Sequence, residues 1–202
     1  AGRAHIYLRR GTRCVLETTI ARSKPSPGDL FGSDVSIAGR VAVVGMPYAD
    51  LGPPGPGQGA TPDCGGVEVF EFVGQRWEHV ATLLPPTPAT SGWFGAAVAV
   101  EGDLIAVGEH GHPDGLAAAG AVHLYRRKLE GWVHEQTIAS PWPGAAWFGF
   151  ALSIDGGRLL VGAPRAKAPG ASAATGAAFL YERSGSSLTL SAALGAPWLQ
   201  SG

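Results

Sequence analysis

FGFALSIDGGRLLVGAP, from Phe148 to Pro164, sets two apolar runs around a glycine pair and brackets them with Phe-Gly and Gly-Ala-Pro. The first run, LSID, alternates apolar and polar residues with period two, as a strand with one buried face does. Asp155-Gly156 ends it with a turn signal, since glycine accepts the positive φ that a tight hairpin demands. The second run, LLVG, is continuously apolar and suits a strand buried on both faces. The same passage occurs twice more without gaps, as FGSDVSIAGRVAVVGMP from Phe31 and FGAAVAVEGDLIAVGEH from Phe94. Ala38-Gly39 and Glu101-Gly102 hold the turn position there. In every copy the Phe-Gly glycine precedes the Val-Gly glycine by 13 residues: Gly32 to Gly45, Gly95 to Gly108, Gly149 to Gly162.

A second block follows each first one. It reads GGVEVFEF from Gly65, GAVHLYRR from Gly120 and GAAFLYER from Gly176, and an unpartnered copy, GRAHIYLRR, opens at Gly2. After it comes another strand-like stretch: RWEHVATLL, GWVHEQTIA and SLTLSAAL. Each repeat therefore supplies four strands joined by hairpins. A lone four-stranded meander cannot bury both faces, and face-to-face stacking of such sheets in a ring gives a β-propeller. The expected fold is all-β, a propeller of four-stranded antiparallel blades. The repeats fall at 31–93, 94–147 and 148–202, with residues 1–30 forming the second half of a blade. That is about 3.5 blades, and about four to eight are needed to close a ring. A longer chain or a homo-oligomer is expected to supply the rest. Phe31, Phe94 and Phe148 are expected to plug the gaps between sheets, with the glycine after each allowing close backbone approach.

These units resemble FG-GAP repeats, the blades of integrin α-subunit propellers and of many bacterial surface proteins. The match is best to the bacterial variety. Only the third unit carries the full Phe148-Gly149 and Gly162-Ala163-Pro164; the first has Gly45-Met46-Pro47 and the second Gly108-Glu109-His110. The resemblance implies a propeller scaffold on an extracellular or cell-surface protein, and a scaffold hosts many activities. Integrin-type blades often carry a calcium loop of the Asp-x-Asp-x-Asp-Gly kind. The loops here supply no alternating carboxylates, and Asp50 or Asp114 alone falls short of the six to eight oxygens calcium takes. No cofactor is expected, and calcium has only weak support.

Composition narrows the function classes. Charged residues are 15% and the net charge is −1, with the cations scattered. No basic surface can track phosphates, so nucleic acid is not an expected partner. No apolar run reaches the roughly 20 residues of a membrane-crossing helix. No nucleophile elbow, phosphate loop, dinucleotide fingerprint or His-Glu-x-x-His sequence appears, so an enzyme reading has no residues to name.

The length variation is confined to the loop after the Val-Gly strand: 20 residues from Gly45 to Gly65, 12 from Gly108 to Gly120 and 14 from Gly162 to Gly176. Fixed strands with one variable loop divide scaffold from recognition. The ligand-binding candidates lie mainly there: Tyr48, Asp50, His110, His112, Asp114 and Arg165, with Trp142 from a linker. His110, His112 and Asp114 resemble a metal set but sit on a flexible Gly-Pro loop, and no metal site is expected. Trp93 and Trp147, just before their Phe-Gly pairs, read as packing residues; Trp142 and Trp198 read as the exposed indoles. Cys14 shares a repeat slot with Trp77, Trp132 and Leu188 and reads as a buried apolar thiol, while a Cys14–Cys64 disulfide is the competing expectation. The expected function is a non-catalytic protein- or ligand-binding or adhesion module. A carbohydrate-binding propeller and an accessory domain of a secreted enzyme are the alternatives, so the expected partner is a protein or glycan.

Overall fold

The computed structural model describes residues 2–52, 60–111, 119–142, 144, 146–185 and 187–195. Every regular element among them is a strand. β1 (Ala4–Arg10) and β2 (Arg13–Ile20) form a two-stranded sheet. β3 (Val35–Ala38), β4 (Val41–Met46), β5 (Gly66–Val73) and β6 (Arg76–Leu83) form a second. β7 (Phe94–Glu101), β8 (Leu104–Glu109), β9 (Ala121–Lys128) and β10 (Gly131–Ala139) form a third. β11 (Ala151–Asp155), β12 (Arg158–Ala163), β13 (Ala177–Ser184) and β14 (Ser187–Gly195) form the fourth. The larger sheets pair antiparallel in chain order, so the chain is all-β and built of propeller-type blades. The first sheet holds only the counterparts of a blade's third and fourth strands.

Three apolar cores lie between successive sheets. Ile6 and Ile20 meet Ala42, Val44, Met46 and Phe70 in the first. Val41, Val43, Val67 and Val69 meet Val98, Val100, Ile105 and Val107 in the second. Leu104, Ala106, Val122 and Leu124 meet Leu159, Val161, Phe179 and Tyr181 in the third. Odd and even residues of β4 thus serve opposite cores, which explains its unbroken apolar sequence. Phe31, Phe94 and Phe148 each enter one of these cores, buried at the same repeat position. The following glycines let backbone meet backbone. A Cβ on Gly45 would lie 2.0 Å from the Gly95 carbonyl oxygen, and one on Gly108 the same distance from that of Gly149.

Two expectations shift. The hairpin loops are Gly39-Arg40, Gly102-Asp103 and Gly156-Gly157, one residue later than the turn signals suggest. The leading glycine takes the left-handed region at φ 57°, 58° and 58°, so Ala38, Glu101 and Asp155 can stay in their strands. β4 and β8 are buried along their whole length, but β12 alternates between buried and exposed. Its pattern is the same; only one of its faces meets another sheet.

A regular irregularity was invisible in the sequence. In every sheet the last strand bulges by one residue at the same slot: Glu17, Val80, Glu135 and Ser191 are each left without a partner in the ladder. A bulge bends the strand and increases its twist. Two of these residues are put to use. Glu17 accepts a hydrogen bond from Trp77 Nε1 at 2.9 Å, and Glu135 one from Arg126 Nε at 2.6 Å.

Candidate functional site

The loops that leave each second strand and those that enter the next first strand lie together. Backbone hydrogen bonds join them: Trp93 N–H donates to Asp63, Phe94 to Cys64, Gly111 to Gly92, Phe148 to Ala119 and Arg165 to Ala146. Leu30, Trp93 and Trp147, each next to a buried Phe, have φ of 53°, 56° and 50°. That conformation is costly for residues with a side chain, and strain of this kind gathers at binding sites. Here the left-handed residue separates two consecutive aromatics. The phenylalanine goes into the core while the indole stays half-buried at the rim.

The result is a continuous aromatic row across three sheets. Tyr48 meets Trp93 edge-on at 6.0 Å between centroids. His110 lies 5.5 Å from Trp93, 5.8 Å from Trp147 and 5.2 Å from Phe150. Trp147 stacks on Phe150, with the rings 15° apart in plane. The Arg165 guanidinium caps the row, 3.7 Å from the Trp147 ring centroid, a cation–π contact. Tyr48 and Phe150 are the exposed rings, at 40% and 46%. Burial among the rings pulls His110 below the ordinary histidine range, so its imidazole is held neutral.

Tyr48, His110 and Arg165 are therefore brought together, while Trp93 and Trp147, read from the sequence as packing residues, form the spine of the row. The signal for them was the Trp-Phe-Gly triplet itself: adjacent aromatics ahead of a strand cannot both enter one core. Asp50 stands apart and closes its own loop, accepting a hydrogen bond from Asp63 N–H at 2.9 Å. His112 and Asp114 lie outside the described residues, as do Trp198 and residues 53–59. Trp142 is not an exposed indole. It packs edge-on against the buried Phe179 at 5.0 Å and adds to the third core.

The cysteine expectations are also corrected. Neither Cys14 nor Cys64 is in a disulfide. Cys64 is wholly buried, 2.8 Å from the Leu51 carbonyl oxygen, and burial pushes its thiol up, so it is neither nucleophile nor exposed crosslinker. Cys14 is exposed rather than buried. Its counterparts Trp77, Trp132 and Leu188 each lean on the preceding sheet, and no sheet precedes that of Cys14 among the described residues.

One polar pair escaped the sequence. His123 Nε2 lies 2.7 Å from Glu109 Oε2, both groups buried, and His123 Nδ1 is 3.1 Å from Thr137 Oγ1. The same slot recurs as His5 with Thr19 at 2.9 Å and Glu68 with Thr82 at 2.9 Å. It is a cross-strand polar lock. A carboxylate and imidazole sealed inside a sheet have no route to a substrate, so the pair does not form a catalytic site. Among the described residues no cluster of three or more His, Cys, Asp or Glu side chains could hold a metal.

Stacked four-stranded blades with a rim of loops define the class: a β-propeller-type repeat protein. The FG-GAP repeat family matches residues 16–61 and 77–125. Over those two stretches the chain carries FG-GAP repeats. Each match begins in the last strand of one sheet and runs into the next, so the sequence unit straddles two blades. No curated protein matches the chain. FG-GAP repeats are found in adhesion and binding modules, typically in extracellular proteins, and the repeat is typically non-catalytic.

Proposed function

We propose that the chain is a non-catalytic binding module of an extracellular or cell-surface protein, and that it engages a protein ligand through the aromatic rim. The observation that carries this reading is the row Tyr48–Trp93–His110–Trp147–Phe150 capped by Arg165. Tryptophan, tyrosine and arginine dominate the energetics of protein interfaces, and the row gathers them on the loops at the strand ends. Rigid aromatic anchors lose little conformational entropy on binding. The strained backbone at Trp93 and Trp147 holds them in place before any ligand arrives.

A glycan reading is weaker. Sugar recognition needs a free ring face, and Arg165 already occupies one face of Trp147. The test coats the chain on a surface and probes it with an array of extracellular proteins and, in parallel, with a glycan array. Tyr48→Ala, Phe150→Ala and Arg165→Ala each weaken capture of a protein by about tenfold or more, because each removes an anchor. Melting temperature stays near that of the parent, since all three side chains are exposed. Protein capture that survives the triple substitution, or capture of glycans alone, overturns the proposal.

A further inference from the structure

From Arg22 to Arg183, every arginine but Arg165 gives its guanidinium to a carboxylate or a backbone carbonyl. Arg40 is the closest contrast. It too lies over an aromatic ring, 5.5 Å from the Phe72 centroid, but its Nε and one Nη both donate to the Phe72 carbonyl oxygen. Arg165 is exposed and lies on Trp147 at 3.7 Å, and its guanidinium donates to no oxygen among the described residues. Lys167, two residues on, is exposed and likewise has no ion pair among them. A guanidinium resting on a ring keeps its N–H bonds in its own plane, in a fork that matches a carboxylate. The stack thus holds the fork in place without using its donors. An apolar seat adjoins it. Phe150, 46% exposed, lies against the same indole at 5.8 Å with the rings 15° apart. Its backbone is fixed, since Phe150 N–H is shared between the Trp147 and Gly162 carbonyl oxygens at 3.2 Å each.

We propose, building on the protein-binding reading, that this end of the row takes an acidic segment of the partner. An Asp or Glu side chain pairs with the Arg165 fork while an apolar side chain two residues away covers Phe150. Charge complementarity selects the occupant. Two unpaired cations stand here, and the carboxylate of Glu109, next in the chain to His110, is sealed inside the sheet with His123. A bidentate, charge-assisted hydrogen bond is the strongest contact open to the free fork. The spacing follows from the shared indole. An extended chain advances about 3.3 Å per residue and turns alternate side chains to one side, so residues two apart meet both seats together.

The test selects phage-displayed dodecapeptides against the full chain. A fluorescein-labelled, C-terminally amidated copy of the most enriched sequence is then followed by anisotropy. Enriched sequences are expected to carry Asp or Glu two residues from Phe, Tyr, Trp or Leu, and to lose binding to the Phe150→Ala chain. Replacing the peptide's acid by its amide weakens binding to the parent chain by about tenfold or more, the effect of a charged hydrogen bond, and leaves binding to the Arg165→Gln chain unchanged. Arg165→Lys keeps the charge without the fork and restores only part of the difference. Added salt narrows the gap between acid and amide peptides. Both Arg165 variants keep the parent's melting temperature, because the residue is exposed. Peptides that need Phe150 but tolerate the amide or Arg165→Gln overturn the acidic-segment proposal and leave protein binding at the row standing. Failure to enrich any peptide sensitive to Phe150→Ala overturns it as well, and the array of extracellular proteins reports separately on protein binding at large. Heparin serves as the acidic-glycan probe; Arg165-dependent binding of heparin without such binding of acidic peptides overturns the choice of a protein occupant.

Discussion

Gly108 and Gly162 occupy one repeat position with different neighbours. A Cβ on Gly108 would strike the Gly149 carbonyl oxygen at 2.0 Å, whereas one on Gly162 would meet nothing closer than the Ala151 Cβ at 3.2 Å. Neither glycine has positive φ, so the difference is one of space and not of backbone strain. Gly108→Ala must push two sheets apart and is expected to cost about 3 kcal/mol or more, while Gly162→Ala stays within about 1 kcal/mol. Urea denaturation of the two variants checks this; equal costs would mean that the glycine serves its own strand and not the sheet contact. His110 gives a second expectation at this scale. Its folded-state affinity for a proton lies below that of the unfolded chain, so the unfolded state takes up more protons as pH falls through the ordinary histidine value near 6.5. Stability is therefore undiminished above that value and declines below it. The melting temperature of the parent should fall further between pH 7.5 and pH 5 than that of His110→Phe. The glycine spacing was legible in the sequence because it repeats. The neutral histidine was not, because its state depends on rings from two other loops.

Phe148 and Phe150 flank Gly149 at the entry to β11, and they show how one element divides its side chains. Phe148 is wholly buried between the third and fourth sheets, 5.5 Å from Phe179 and 6.2 Å from Tyr181. Phe150 is turned to the rim. Phe148→Ala should lose about 3–5 kcal/mol through cavity formation, and Phe150→Ala less than about 1 kcal/mol. A chemical-denaturation series that reversed this order would move the plug to the other phenylalanine. Strand order, hairpin connection and the plugging role of Phe31, Phe94 and Phe148 could all be read ahead, since each rests on local pattern repeated three times. The bulge at Glu17, Val80, Glu135 and Ser191 could not. Its residues share no chemistry, and the slot is defined only by the ladder it interrupts. Tryptophan roles were read in reverse for a related reason: Trp142 has a linker sequence yet finds Phe179, while Trp147 has a core-like sequence yet is turned outward by its left-handed backbone.

At the scale of the molecule, among the described residues each core joins a sheet to the one beside it in sequence, and the three cores are separate. Such a stack behaves as a row of units whose stability is the sum of their own terms and those of their shared faces. Protection against local opening should then follow the number of covered faces. β4 and β8 are covered on both sides and buried throughout. β12 is covered on one side. The β1–β2 hairpin is covered on one side and lacks inner strands, and a hairpin alone is marginal in water. Hydrogen exchange followed by mass spectrometry should therefore find β4 and β8 slowest, β12 intermediate and β1–β2 fastest. Ile6 and Ile20 are what fasten that hairpin to the second sheet. Ile6→Ala should speed exchange in β1 and β2 while leaving β7 to β10 unchanged, because the hairpin can lift away without disturbing the second and third cores. Uniform protection across the chain, or an Ile6→Ala effect that reached β8, would mean that the sheets open as one cooperative body and that the cores are coupled more tightly than their contacts convey.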